Sequence, residues 1–174
     1  MKVTLKNGSS RDIPAGQTVG FALSALGLTL GPDILAAKVN GQPVDLSSVL
    51  TDDAEVLPLK FDSTEGREVY RHSSTHIMAQ AVKEVFPTAQ LTIGPALEDG
   101  FFYDFAFERP FTPEDLEKIE AKAKDIIKRA HPVKRAELSK QDAVKYFEAR
   151  GQAYNVELIQ GLAEVQTISV YSQA

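Results

Sequence analysis

Cysteine and tryptophan are absent from the 174 residues, and histidine occurs only three times. Without thiols there is no disulfide framework and no Cys-ligated zinc in this stretch, so a metal here has only His, Asp and Glu to bind it. No run approaches the roughly 18 consecutive apolar residues of a membrane-spanning helix. The opening Met1-Lys2-Val3-Thr4-Leu5 has no apolar segment of signal-peptide length. The expectation is a cytoplasmic chain with no membrane partner. An excess of positive charge is also missing. The 19 Lys+Arg stand against 24 Asp+Glu, a net charge of -5, which excludes a general nucleic-acid coat but not a local basic groove. What is present, 43% hydrophobic residues with 11 Gly and 9 Pro, suits a globular protein of one full-sized domain or two small ones.

Charge places no boundary, since the chain is mildly acidic on both sides of Lys60. Composition does: Phe61-Asp62-Ser63-Thr64-Glu65-Gly66-Arg67 is polar and aperiodic, and lies between a strand-like run and a long helical one. The organisation predicted is a first domain over 1–60, a linker over 61–66 and a second domain over 67–174. In the first, Val3-Thr4-Leu5 leads into Asn7-Gly8, a strong hairpin signal, with Arg11-Asp12-Ile13-Pro14 as the return strand. Thr18 can cap a short helix with Val19, Ala22, Leu23 and Leu26 at helical spacing, ended by Gly27. A strand over Leu35 to Val39, a second hairpin signal at Asn40-Gly41 and a terminal strand over Glu55 to Leu59 complete the order. One helix across a small mixed sheet buries these apolar faces economically, which is the ubiquitin-like β-grasp arrangement. This segment resembles a TGS domain, a module found at the front of threonyl-tRNA synthetases and in some regulatory enzymes and GTPases. It shows no nucleophile-base pair, phosphate loop or metal spacing, so a binding or positioning role is expected.

In the second domain a helix is predicted from about Gly66 to Phe86, stopped by Pro87. Strands follow at Gln90 to Ile93, closed by Gly94-Pro95, and at Phe101 to Phe107, entered through Asp99-Gly100. Thr112-Pro113-Glu114-Asp115 opens a helix to about Ala130, with Thr as N-cap and Pro at the first helical position. Leu116, Ile119, Ala123, Ile126 and Ile127 form its apolar face. A short strand at Val133 to Ala136, a third helix from Ser139 to Arg150 and Gly151, and a strand-like tail over Val165 to Tyr171 complete the reading. The fold class is α+β: a β-grasp domain, then an α+β domain with a central helix against an antiparallel sheet.

Two of the histidines, His72 and His76, lie on the first helix of the second domain. A spacing of i, i+4 leaves them about 40° apart around the helix, within reach of one ligand or ion. The alternatives are a packed pair or a solvated pair of no consequence. Ile77, Met78, Ala81, Val82 and Val85 project as one apolar stripe nearly opposite the histidines, which weakens the packed reading. The neighbours Ser73, Ser74, Thr75 and Ala79 are small, as in the wall of a cleft. No Glu follows His72, so the metalloprotease pattern H-E-x-x-H fails. Lys118, Lys122, Lys124, Lys128, Arg129, Lys134 and Arg135 would favour tRNA phosphate, but interleaved Glu117, Glu120 and Asp125 favour a solvated helix face. His131, beside Pro132, reads as a helix-dipole partner.

Arg71-His72-Ser73-Ser74-Thr75-His76, then Ile93-Gly94-Pro95, then Gly100-Phe101-Phe102-Tyr103-Asp104 resembles the editing domain shared by threonyl- and alanyl-tRNA synthetases. That family carries an H-x-x-x-H helix, an I-G-P turn and a G-F-[FY]-Y-D strand in this order, before a later C-x-x-x-H segment. With a TGS-like module upstream, the resemblance is to the front of bacterial-type threonyl-tRNA synthetases and covers essentially the whole chain. It implies a truncated editing domain, since the C-x-x-x-H segment is absent. Members often have Lys after the Tyr that is Tyr154 here, whereas this chain has Asn155, so no ammonium is carried over to that position.

The resemblance implies hydrolysis of seryl esters on threonine-specific tRNA by the intact domain, with the tRNA acceptor end as partner. His72 and His76 are the candidate catalytic residues. They would orient water directly, the role favoured here, or hold a zinc ion with two ligands this chain lacks. Tyr103 is the candidate for contact with the substrate's amino acid or adenosine, the alternative being a packed strand aromatic. Asp104 would fix a histidine tautomer or simply end a polar strand face. No cofactor is expected in this segment. ATP and a catalytic zinc belong to the parent's other domains, and the parent is expected to be a homodimer. The competing reading is a non-catalytic module that positions tRNA or a partner, with a structural histidine pair.

Overall fold

A computed structural model describes residues 1–163 and 167–173. The chain divides into two compact units, Met1–His72 and Ser73–Ala174, each taken by itself below.

The first unit is built from β1 (Lys2–Leu5), β2 (Ser10–Asp12), α1 (Val19–Ala25), β3 (Ile34–Val39), β4 (Gln42–Val44) and β5 (Ala54–Lys60). The sheet order is β2-β1-β5-β3-β4, with β1 and β5 parallel and the other pairs antiparallel. This is the β-grasp arrangement expected. The β3–β4 hairpin turns at Asn40 and Gly41, with φ of 50° and 84°, the pair of left-handed residues that a tight hairpin requires. Pro43, which donates no ladder hydrogen bond, is confined to the edge strand β4. Thr18 caps α1 by accepting the Phe21 amide at 3.2 Å. Leu28 N–H donates to the Leu23 carbonyl at 3.1 Å, closing the helix through Gly27. Val19, Ala22 and Leu23 from the helix and Val3, Ala37 and Val56 from the sheet make the buried core.

The predicted linker is shorter than its composition suggests. Helix α2 spans Thr64–Val85, and the division between units falls within it. Ser63 takes the capping position: its hydroxyl accepts the Gly66 amide at 3.1 Å and donates to the Lys60 carbonyl at 2.7 Å. The polar Ser-Thr-Glu run is therefore a helix start rather than a spacer. Glu65, in the first turn of α2, forms an ion pair with Lys38 of β3.

The second unit holds the rest of α2, then β6 (Gln90–Leu91), β7 (Ala96–Leu97), β8 (Gly100–Phe101), β9 (Phe105–Ala106), α3 (Pro113–Arg129), β10 (Val133–Leu138), α4 (Lys140–Glu148), α5 (Ala153–Gly161) and β11 (Ile168–Gln173). The antiparallel strands form three two-stranded sheets, β6-β9, β7-β8 and β10-β11. The run Phe101 to Phe107, expected as one strand, is split: Phe101 pairs with Ala96, Phe105 with Leu91, and the intervening residues change partner. Ala81 and Val82 of α2 are buried with Ile119 and Ile126 of α3, and Phe86, Phe105, Phe107 and Phe111 pack against them. The expected apolar face of α3 is narrower than its pattern. Leu116 and Ile127 are exposed, because only the side centred on Ile119 and Ile126 meets the core. Helix α5 was not anticipated. Of the predicted tail strand, Val165 and Gln166 lie outside the described residues, and β11 begins at Ile168.

Thr112 and Asp115 form a reciprocal capping box at the start of α3. The Asp115 carboxylate, 4% exposed, is paired with Arg109, whose guanidinium also lies over the rings of Phe86 at 5.9 Å and Phe107 at 5.5 Å. Arg109, then the Thr112 amide, hold the Asp115 carboxyl well below the usual carboxylate range. A depressed folded-state pKa contributes stability that is complete above the unfolded value of about 3.9. That contribution is lost as pH falls through the folded value. Asp115→Asn is therefore expected to flatten the loss of stability below about pH 4, as read from denaturation midpoints across an acid series.

Candidate functional site

Both histidines of the H-x-x-x-H pair are exposed on α2. Their helix buries more of its circumference than the apolar stripe alone predicts. Besides Ala81 and Val82, Thr75 is 2% and Ala79 5% exposed. Thr75 and Ala79, read from sequence as part of an open wall, are packed instead. Burial therefore extends to the flank of the histidines, while Ser73 stays exposed and Ser74 half-buried. Among the described residues no group of three or more His, Cys, Asp or Glu converges as a metal-ligand set. Two imidazoles supply half of a tetrahedral zinc set.

The I-G-P and F-F-Y-D segments, separated by the five residues 96–100 in the chain, are adjacent in space. The β6–β9 ladder continues past its last pair: Asp104 N–H donates to the Ile93 carbonyl at 2.9 Å, and the Thr92 hydroxyl donates to the Asp104 carbonyl at 2.6 Å. Asp104 thus contributes its backbone to the joint, and its residue is exposed. Tyr103 is half-buried, and its ring stacks on Phe105 with centroids 4.7 Å apart and planes 23° apart. Its other neighbour is Gly94: a Cβ added there would stand 2.1 Å from a ring carbon of Tyr103. Burial pushes the Tyr103 phenol pKa up, so the hydroxyl keeps its proton and stays a hydrogen-bond donor around neutral pH. Sequence reasoning singled out Tyr103 but missed Gly94 and Phe105 as its supports.

The basic residues of α3 and β10 are largely engaged with carboxylates. Lys122 and Arg129 both reach Glu84, at 3.5 and 2.8 Å, Lys124 pairs with Glu120 at 2.6 Å, and Arg135 with Glu137 at 2.8 Å. This favours the solvated-face reading over a phosphate-binding one. Asn155, where a Lys is common in the resembled family, donates to the Gln152 side chain at 2.8 Å near the start of α5. Among the described residues no helix is long and apolar enough to cross a membrane.

Residues 1–57 match the TGS domain family. The chain is 48% identical to a threonine-tRNA ligase of Symbiobacterium thermophilum over 171 residues, 98% of this chain and 26% of that protein. It is 47% identical to the threonine-tRNA ligase of Desulforamulus reducens over 173 residues, 99% of this chain and 27% of the relative. It is 46% identical to that of Methylococcus capsulatus over 171 residues, 98% of this chain and 27% of the relative. The chain therefore carries a TGS domain and corresponds, along nearly all its length, to about a quarter of a threonyl-tRNA synthetase.

Proposed function

We propose that this chain contributes the TGS domain and part of an editing domain to a threonyl-tRNA synthetase, and that the completed domain hydrolyses serine misattached to threonine-specific tRNA. The observation that carries this reading is the extent of the similarity. It extends through the second unit as well as the TGS domain, covering 98% of the chain, and so includes the histidine helix and both joined motifs. Serine lacks one methyl of threonine, and a group of that size is worth only about 1–3 kcal/mol of discrimination. A second, smaller pocket removes the error by excluding the methyl and cleaving what fits.

The chemistry needs a water molecule delivered to the ester carbonyl. His72 and His76 share one exposed helix face, where an imidazole nitrogen can take a proton from a bound water as general base. The water oxygen bonds to the carbonyl carbon, the bond to the ribose oxygen breaks, and the proton passes to that oxygen, releasing serine and intact tRNA. Tyr103 donates its phenolic hydrogen to the aminoacyl-adenosine end, and Asp104 steadies a histidine tautomer. The tRNA acceptor end is the partner in this reading. ATP, a catalytic zinc and homodimer formation belong to the parent protein beyond this segment, working in the cytoplasm.

The test compares release of serine and threonine from charged tRNA by this chain and by a form extended to the length of its relatives. The extended wild type is expected to cleave the seryl ester, and His72→Ala with His76→Ala to slow it by about 10²–10⁴-fold. An extended protein that leaves the seryl ester intact overturns the reading in favour of a non-catalytic positioning module.

A further inference from the structure

We infer that Gly94 and Phe105 are positioning residues for Tyr103, together fixing its ring before any substrate arrives. The inference rests on the editing reading only where it gives Tyr103 a substrate to contact. Three features on the same short ladder support it. The ring of Tyr103 lies so close to Gly94 that a Cβ would meet three of its carbons at 2.1, 2.5 and 2.8 Å. Its second support is the ring of Phe105, stacked at 4.7 Å between centroids, within the range where aromatic pairs attract. The segments that carry these residues are bound on both sides of the contact, by the Leu91–Phe105 pairing and the bond from Asp104 N–H to Ile93 on one side and by the pairing of Ala96 with Phe101 on the other.

The glycine is thus required by the ring rather than by its own backbone angles, since Gly94 is not among the residues with positive φ. Any side chain at 94 forces Tyr103 to turn away or the ladder to part. Phe105 in turn packs edge-on against Phe111 at 5.9 Å, which ties the support into the core of the second unit. Because Phe105 sits in β9 and Gly94 just beyond β6, the two supports come from paired segments.

Two measurements decide this. In the 174-residue chain, nuclear Overhauser contacts are expected between the Gly94 α-protons and the Tyr103 ring. These contacts are expected to vanish in Gly94→Ala, with the circular dichroism spectrum retained. In the extended form, Gly94→Ala is expected to lower seryl-ester cleavage by about 10²-fold per folded molecule. It should also shrink the preference for seryl over threonyl ester, a ratio that partial unfolding leaves unchanged. Phe105→Leu should behave likewise, and Phe105→Tyr, which keeps the flat face, should retain the wild-type ratio. Absence of the contacts in wild type, or unchanged Tyr103 ring signals and ester preference in Gly94→Ala, overturns the inference. If the extended wild type cleaves no seryl ester, the editing reading fails while the ring contacts still decide the positioning.

Discussion

Gly66→Ala is expected to destabilise the protein by about 3 kcal/mol or more, at the upper end for a single methyl. The sign is what makes the test sharp. Gly66 lies in the first turn of α2, and helix propensity alone favours alanine over glycine by about 1 kcal/mol. Here the added Cβ would stand 1.8 Å from the Lys60 carbonyl oxygen and 2.5 Å from its carbon. Both are backbone atoms of β5, pinned further by the Ser63 amide and hydroxyl, which donate to the same oxygen at 3.0 and 2.7 Å. No side chain can swing aside to relieve the clash, so the strand-to-helix joint must open. Urea denaturation of the two proteins measures the difference, and a midpoint equal to or above wild type would contradict the geometry described for the joint.

Ile126→Ala carries the second large effect. Ile126 is fully buried in the cluster with Ala81, Val82, Ala89 and Ile119. Loss of a buried isoleucine to alanine costs about 2–5 kcal/mol, with the upper part of the range where the cavity cannot collapse. The loss should be local. Amide exchange is expected to accelerate in α3 and in the part of α2 beyond Ser73, while β1, β3 and β5 keep their protection, because their core is a separate cluster around Leu23 and Val56. Equal acceleration in both sets would show that the two cores do not behave as independent units.

Local chemistry explains which parts of the structure could be read from sequence. The caps Thr18, Thr112 and Ser139 and the hairpin residues Asn40-Gly41 act within three or four residues of themselves, and the elements they bound were predicted closely. The split of Phe101 to Phe107 depends on partners: an aromatic run has the propensity of a continuous strand, and only the pairings with Ala96 and Leu91 divide it. Helix α5 runs from just after Gly151 to Gly161, and the Gln152 side chain accepts no backbone amide of its first turn, so the usual start signal was missing. At the candidate site, the histidine spacing and Tyr103 were legible as motif letters. The support given by Gly94 and Phe105 was not, since it exists only once the two short strands are paired. The burial of Thr75 and Ala79 was hidden for a related reason: small residues suit a cleft wall and a close packing contact equally well.

The ribbon formed by β10 and β11 has six residue pairs and a first strand exposed along most of its length. A two-stranded sheet leaves an outer row of backbone donors and acceptors on each strand, the kind of edge on which another chain can polymerise. On β10 the side chains flanking that edge are Lys134, Arg135 and Glu137, charged groups that a stacking neighbour would have to strip of water. The role such charges suit lies less in holding this molecule together than in opposing edge-to-edge pairing of separate molecules.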